Sequence, residues 1–243
     1  MRKLSSVVLA GAALIGGAAL AADMPAPYEE VEFGSSWYLR GDVGYKLYLT
    51  PNVSYNDPVA GVGGFRKEEL GNTGVIGGGF GYKLNNWFRA DLTIDYEFPA
   101  EFHGRARCNG CAGKNYSREW ADVSAWTILA NAYVDLGTWN GITPYVGAGV
   151  GTSNIEVSNY RYRNPNGVKG TWKDGNDWSF SWAAMAGVAY AISPNMAIDF
   201  NYRYLSIGDG RTGNIPIGTG RNPVRFDDLA AHEFRVGFRY MID

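Results

Sequence analysis

The feature that most constrains this chain is an alternation of apolar and polar residues with a period of two. It recurs in eight segments of about ten residues each, the span of a membrane-crossing strand. Successive side chains of an extended strand point to opposite faces, so each segment reads as a strand with one apolar face. In the first, Trp37, Leu39, Val43, Tyr45 and Leu47 share one face and Tyr38, Arg40, Asp42, Lys46 and Tyr48 the other. In the third, Phe88, Leu92, Ile94, Tyr96 and Phe98 oppose Arg89, Asp91, Asp95 and Glu97. The seventh sets Ile198, Phe200, Tyr202 and Tyr204 against Asp199, Asn201 and Arg203. The eighth sets Phe234, Val236, Phe238 and Tyr240 against Glu233, Arg235 and Arg239. Weaker versions run through 76–84, 126–136, 146–150 and 180–192.

The connections alternate in length. Asn85-Asn86, Gly137–Gly141 and Ser193–Asn195 are tight turns rich in Gly, Asn or Pro. Thr50–Asn72, Pro99–Trp120, Ser158–Asp177 and Ser206–Asp227 are long and polar. A β-sandwich has no reason to place every long loop at one end. Alternating strands with short–long connections predict an all-β protein: an eight-stranded antiparallel up-and-down transmembrane β-barrel with short periplasmic turns and four long extracellular loops. Closure is forced, because hydrocarbon cannot satisfy an open sheet edge. Composition agrees, with 33 Gly and 14% aromatic residues in 243. Past residue 22 no apolar run is long enough for a spanning helix. The net charge of −2 excludes a basic nucleic-acid binder. Aromatics gather near both strand ends, as interfacial girdles require.

Residues 1–21 read as a signal peptide: Arg2 and Lys3, an apolar stretch to Leu20, and a small-x-small site at Ala19-Leu20-Ala21. Residues 22–35, with Pro25, Pro27, Glu29, Glu30 and Glu32, read as a periplasmic lead-in, and 36–243 as the barrel domain.

The inward face carries Arg40, Lys46, Lys83, Arg89, Arg203, Arg235 and Arg239 against Asp42, Asp91, Asp95, Glu97, Asp135, Asp199 and Glu233. Buried charges must be paired, so seven cations and seven anions predict a salt-bridge plug rather than an open pore. An eight-stranded barrel is only wide enough to be filled by side chains. Gly77, Gly79 and Gly81 of the second strand, Gly147, Gly149 and Gly151 of the fifth, and the small residues of the sixth also face inward. Arg40 and Lys46 are expected to reach across into the space beside the fifth strand's glycines. A water-filled pocket is expected between the second and sixth strands.

Four further groups carry candidate chemistry. Cys108 and Cys111 flank Asn109-Gly110 in the second long loop; in an oxidising compartment a disulfide is expected, with free or metal-binding thiols the alternative. His103 beside them is a metal or haem candidate. The third loop, with Tyr160-Arg161-Tyr162-Arg163, Lys169, Trp172 and Lys173, is either a solvated hairpin or a contact for lipid phosphates, lipopolysaccharide included, or for an acidic partner, through Arg161, Arg163, Lys169 and Lys173. Asp227, Asp228 and His232 are the best catalytic constellation on offer, and a weak one, so no enzyme is expected.

The residues also carry a resemblance. The motifs are Ala-Leu-Ala-Ala-Asp at 19–23, Trp37-Tyr38-Leu39-Arg40-Gly41-Asp42-Val43-Gly44-Tyr45, Gly77-Gly78-Gly79-Phe80-Gly81-Tyr82, Thr143–Gly151 and Glu233–Tyr240. Their order resembles the small alphaproteobacterial outer-membrane β-barrel proteins, porin-like major surface antigens of Gram-negative cells. The resemblance implies envelope integrity, contact with outer-membrane lipid and lipopolysaccharide, host, ligand or peptidoglycan-associated partners, and no catalytic residues or obligatory cofactor. Some such proteins bind haem. The family usually ends on an aromatic residue read by the barrel-assembly machinery; here Met241-Ile242-Asp243 follow Tyr240. The expected function is therefore structural and surface-exposed, with a ligand-binding or narrow-channel protein as the alternative.

Overall fold

The computed structural model describes residues 37–57, 61–106, 116–213 and 223–242. The 1–21 signal, the 22–35 lead-in, and Cys108 and Cys111 lie outside the described residues. Among the described residues, twelve strands follow in chain order. They are β1 (Trp37–Tyr48), β2 (Asn52–Asp57), β3 (Gly61–Gly64), β4 (Arg66–Leu70), β5 (Thr73–Lys83) and β6 (Phe88–Arg105). Then come β7 (Arg118–Asp135), β8 (Ile142–Arg163), β9 (Lys169–Thr171), β10 (Gly175–Ser193), β11 (Met196–Arg211) and β12 (Arg225–Met241).

Eight of them form one ring, β1-β5-β6-β7-β8-β10-β11-β12, every neighbouring pair antiparallel, closed by β1 on β12. The closing register runs from Tyr38↔Met241 to Tyr48↔Ala231. The tight turns form as expected. Asn85 Oδ1 accepts the N–H groups of Trp87 and Phe88 at 2.8 and 2.9 Å. Between Trp139 and Ile142, Asn140 and Gly141 both take positive φ, the geometry of a two-residue hairpin turn.

The alternation places the faces as read. Leu39, Val43, Tyr45, Leu92, Ile94, Phe200, Phe234 and Val236 are exposed on the outer wall, while Asp42, Lys46, Asp91, Asp95, Arg203 and Glu233 are buried in the lumen. The outer wall has two aromatic rims. At the periplasmic end Trp37 stacks on Phe80 with centroids 4.7 Å apart. At the other end Tyr96 meets Trp126 at 4.7 Å and Trp182 meets Tyr204 at 5.3 Å. From Phe88 to Phe98 on β6 is ten residues, roughly 25 Å of height for a strand tilted by about 40°, which matches the apolar band of a membrane barrel.

Among the described residues, much of the long connections is strand. β6 and β7 have 18 residues and β8 has 22, against the ~10 needed to cross a bilayer. The ring therefore continues beyond the outer rim as a sleeve. β2 prolongs β1 along β12, β3 pairs β2, β4 pairs β6, and β9 folds back on β8. In the sleeve the lining is inverted: Val53, Phe102, Ala121, Val123, Ile155, Val157, Leu205, Ile207, Phe226 and Leu229 form a buried apolar cluster facing inward. The physical reason is the medium. Outside the bilayer the outer wall meets water, so apolar side chains turn to the interior as in any soluble barrel. A β-bulge between Glu97 and Ala100 resets the phase on β6, leaving both Phe98 and Pro99 outside and carrying Ala100 and Phe102 in.

Candidate functional site

The lumen within the membrane band is the densest polar constellation of the molecule. At its centre Asp95, fully buried, accepts hydrogen bonds from Arg235 at 2.6 Å and Arg203 at 2.8 Å. Both guanidiniums also reach Glu233, at 3.3 and 2.7 Å. Lys46 bridges Glu97 and lies 3.6 Å from Glu233. Towards the periplasm, Arg40 holds Asp42 at 2.7 Å and Asp91 at 3.0 Å and donates to the Tyr133 hydroxyl at 2.8 Å. Tyr38 adds a hydroxyl to Asp91 at 3.0 Å. Lower still are Arg89–Asp135 at 3.0 Å and Arg239–Asp199 at 3.2 Å, with the Arg89 guanidinium 4.0 and 4.4 Å from the ring centres of Tyr133 and Tyr145. A hydroxyl ladder, Thr127–Ser153–Ser181, runs from Glu97 across β7, β8 and β10.

The arrangement is a branched network, not seven separate pairs. Shared partners matter, because each buried carboxylate has four lone-pair sites and a guanidinium five N–H donors, and only multiple contacts satisfy them. Lys83 is half-buried at the periplasmic mouth. There it lines a cavity of about 120 Å³ with Asp135, Thr143, Ala189, Met196 and Arg239.

The expected reach of Arg40 and Lys46 into the glycine space of the fifth segment (β8) is overturned. A Cβ on Gly147 would strike Tyr133 at 2.5 Å, and one on Gly149 would strike Asn131 at 2.1 Å, so β7 side chains already fill that space. Arg40 and Lys46 stay with Asp42, Asp91 and Glu97. The expected pocket between β5 and β10 survives only at the periplasmic mouth, as the cavity lined by Lys83 and Ala189, and further in it is filled the same way. Asp95 occupies the space beside Gly77, Tyr38 that beside Gly81, and Tyr145 that beside Gly187. Neighbouring strands are about 4.8 Å apart, whereas the far wall is a barrel diameter away, so adjacent side chains take the space first.

The apolar sleeve sits directly above this network. Phe102 packs edge-on against Phe226 at 4.9 Å and Phe65 at 6.0 Å. The two layers together fill the lumen from charge to hydrocarbon. Within the sleeve, Glu119 is buried, Ser117 donates to it, and burial pushes its carboxyl up to about 7.

The third-loop residues are mostly strand, on the hairpin of β8 and β9. Arg161, Arg163, Lys169 and Lys173 are exposed on it. Tyr160, read as part of that surface, is instead buried in the sleeve core against Trp172. Arg161 lies 3.5 Å from Glu101 and 5.9 Å over the Trp120 ring. His103 is half-exposed, 3.5 Å from Glu101, and among the described residues no group of three metal-ligating side chains forms. His232 donates or accepts at the Tyr202 hydroxyl (2.7 Å) on the outer wall. Asp227 and Asp228 lie five and four residues before it on β12, ~14 Å or more away; Ser54 donates to the Asp227 carboxylate and the Asp228 N–H donates to Asp209. No catalytic constellation assembles there.

Comparison with known proteins places these observations. The family model for the outer membrane protein beta-barrel domain matches residues 7–241. An uncharacterized protein of Brucella suis is 34% identical over 72% of this chain and 69% of its own length. A Rickettsia bellii protein provisionally called an adhesin is 26% identical over 99% of both chains. Among solved structures, outer membrane protein OprG of Pseudomonas aeruginosa is 14% identical, covers 86% of this chain and 97% of its own, with a TM-score of 0.48. The chain belongs to the outer membrane protein beta-barrel domain family, and its place is the outer membrane of a Gram-negative bacterium.

Proposed function

We propose that this is a structural, surface-exposed outer-membrane protein that supports envelope integrity and works through its outer wall and extracellular sleeve rather than through a conducting lumen. The observation that carries this reading is the filled interior: the Arg203–Asp95–Arg235–Glu233 network and, above it, the Phe65–Phe102–Phe226 cluster. The expected contacts are outer-leaflet lipid and lipopolysaccharide at the sleeve, with Arg161, Arg163, Lys169 and Lys173 the residues in reach. Host or peptidoglycan-associated partners and the barrel-assembly machinery complete the set. The adhesin designation of the Rickettsia relative supports a role in surface contact. Planar-bilayer recording of the folded protein tests the reading. It expects no large steady conductance steps at any holding potential; porin-sized steps would overturn it.

A further inference from the structure

Five cations lie on one line across the sleeve. Arg66 of β4 pairs with Arg105 of β6. The β6–β7 register, ending on Gly104↔Glu119 and carried on by the Ser117 N–H to the Ala106 carbonyl, sets Arg105 beside Arg118. Arg118 pairs with Arg163 of β8, and Arg163 with Lys169 of β9. Directly opposed residues share a face, and all five are exposed while Gly104 and Glu119 beside them are buried, so the row faces outward. None of the five is in an ion pair among the described residues. The next rung towards the membrane is mixed: Glu69, His103, Trp120, Arg161 and Thr171.

Like charges directly opposite one another destabilise a sheet. A row of five has no structural return in this fold, and that cost points to a ligand. Strand spacing puts the cations about 4.8 Å apart, so the row is roughly 19 Å long. That interval is close to the length of one sugar in an extended glycan. Four of the five are arginines, whose planar forks match sulfate and carboxylate groups. Tyr116 lies under Arg66 and Trp120 under Arg161, so a ring beside the row holds each guanidinium in place. Height also selects. Arg118 is eight residues beyond Trp126 of the outer rim, roughly 20 Å above the membrane surface for a strand tilted by about 40°. Headgroup phosphates lie at that surface, and only the saccharide of lipopolysaccharide rises as far as the row.

We propose that Arg66, Arg105, Arg118, Arg163 and Lys169 form a binding rail for a linear anionic polysaccharide bearing about one sulfate or carboxylate per sugar. The inference rests on the surface role given above, but the two fail separately. A conducting pore would sink that role and leave this binding intact, and a protein that ignores the glycan would leave the closed interior standing.

The test uses the full folded chain in nanodiscs of zwitterionic phospholipid, with a labelled heparin-derived hexasaccharide as probe. The wild type binds it, and more weakly as salt is raised. Arg105→Gln with Arg118→Gln weakens binding roughly tenfold, the loss expected for two exposed ion contacts. Arg211→Gln with Arg225→Gln, the same charge change elsewhere on the sleeve, alters it less than about twofold. The row variant also unfolds at the same or higher urea, because like-charge repulsion is relieved. No binding by the wild type, equal losses in both variants, or earlier unfolding of the row variant would each overturn the rail. So would a row variant that loses lipopolysaccharide from mixed nanodiscs while keeping the hexasaccharide.

Discussion

Asp95→Asn should be among the most damaging isosteric changes this barrel can suffer. The side chain keeps its shape, so packing and cavity effects are small. What is lost is one of two carboxylates facing two guanidiniums. Arg203 and Arg235 lie 2.8 and 2.6 Å from Asp95, and its loss leaves them sharing Glu233, with Asp42 at 3.9 Å from Arg235. All of these groups are buried, so water cannot take over. Removing one partner of a buried ion pair costs about 3–5 kcal/mol. That is a loss of about a hundredfold to a few thousandfold in the folding equilibrium. Urea unfolding in lipid vesicles, read by tryptophan fluorescence and by the mobility of unboiled samples on gels, measures it. Asp95→Asn combined with Arg235→Met restores one cation to one anion at the centre. It should regain about 1–3 kcal/mol relative to the sum of the single changes. A single variant within about 0.5 kcal/mol of wild type, or strictly additive losses, would refute charge matching as the reason for the network.

Two other outcomes follow from the same geometry. Gly77→Val brings a Cβ to 1.8 Å from Asp95 Oδ1 and 3.0 Å from Arg235, so it should destabilise by about 1–3 kcal/mol and lower the temperature at which the unboiled form is lost. Glu119 holds its proton more tightly folded than unfolded, so its contribution is full below the ordinary value of 4.5 and is lost as pH rises to about 7. Wild-type stability should therefore fall across that window relative to Glu119→Gln, and parallel pH profiles would refute it.

The membrane half of the barrel was legible in the sequence because its two media differ so sharply. Lipid outside and charge inside give β1, β6, β11 and β12 an alternation that no other fold needs. The sleeve was obscured by weaker contrast and broken phase. Ile155 and Val157 do alternate with Asn154 and Glu156, but the bulge after Glu97 and the left-handed residues Asn159 and Asp228 interrupt the count. The identity of the inward charges was readable; their partners were not. Arg235 and Asp95 are 140 residues apart, and only the closed ring brings them together. The cation row is a coincidence of register over five strands, and no local pattern in the sequence marks it. The glycine argument failed for a general reason: space beside a missing side chain belongs first to the adjacent strand.

The inversion of the lining sets a waterline. Below Tyr96 and Trp126 the outer wall tolerates only hydrocarbon; above Phe98 it carries Glu101, Asp122 and Glu156. Sinking by one dipeptide step, about 5 Å of height, would drag that acidic band into lipid, and rising by as much would wet Ile94 and Phe98. The molecule thus floats at one draught, like a hull loaded to its mark. Its outward equipment stands at a height determined by the chain itself, whatever the thickness of the glycan layer around it.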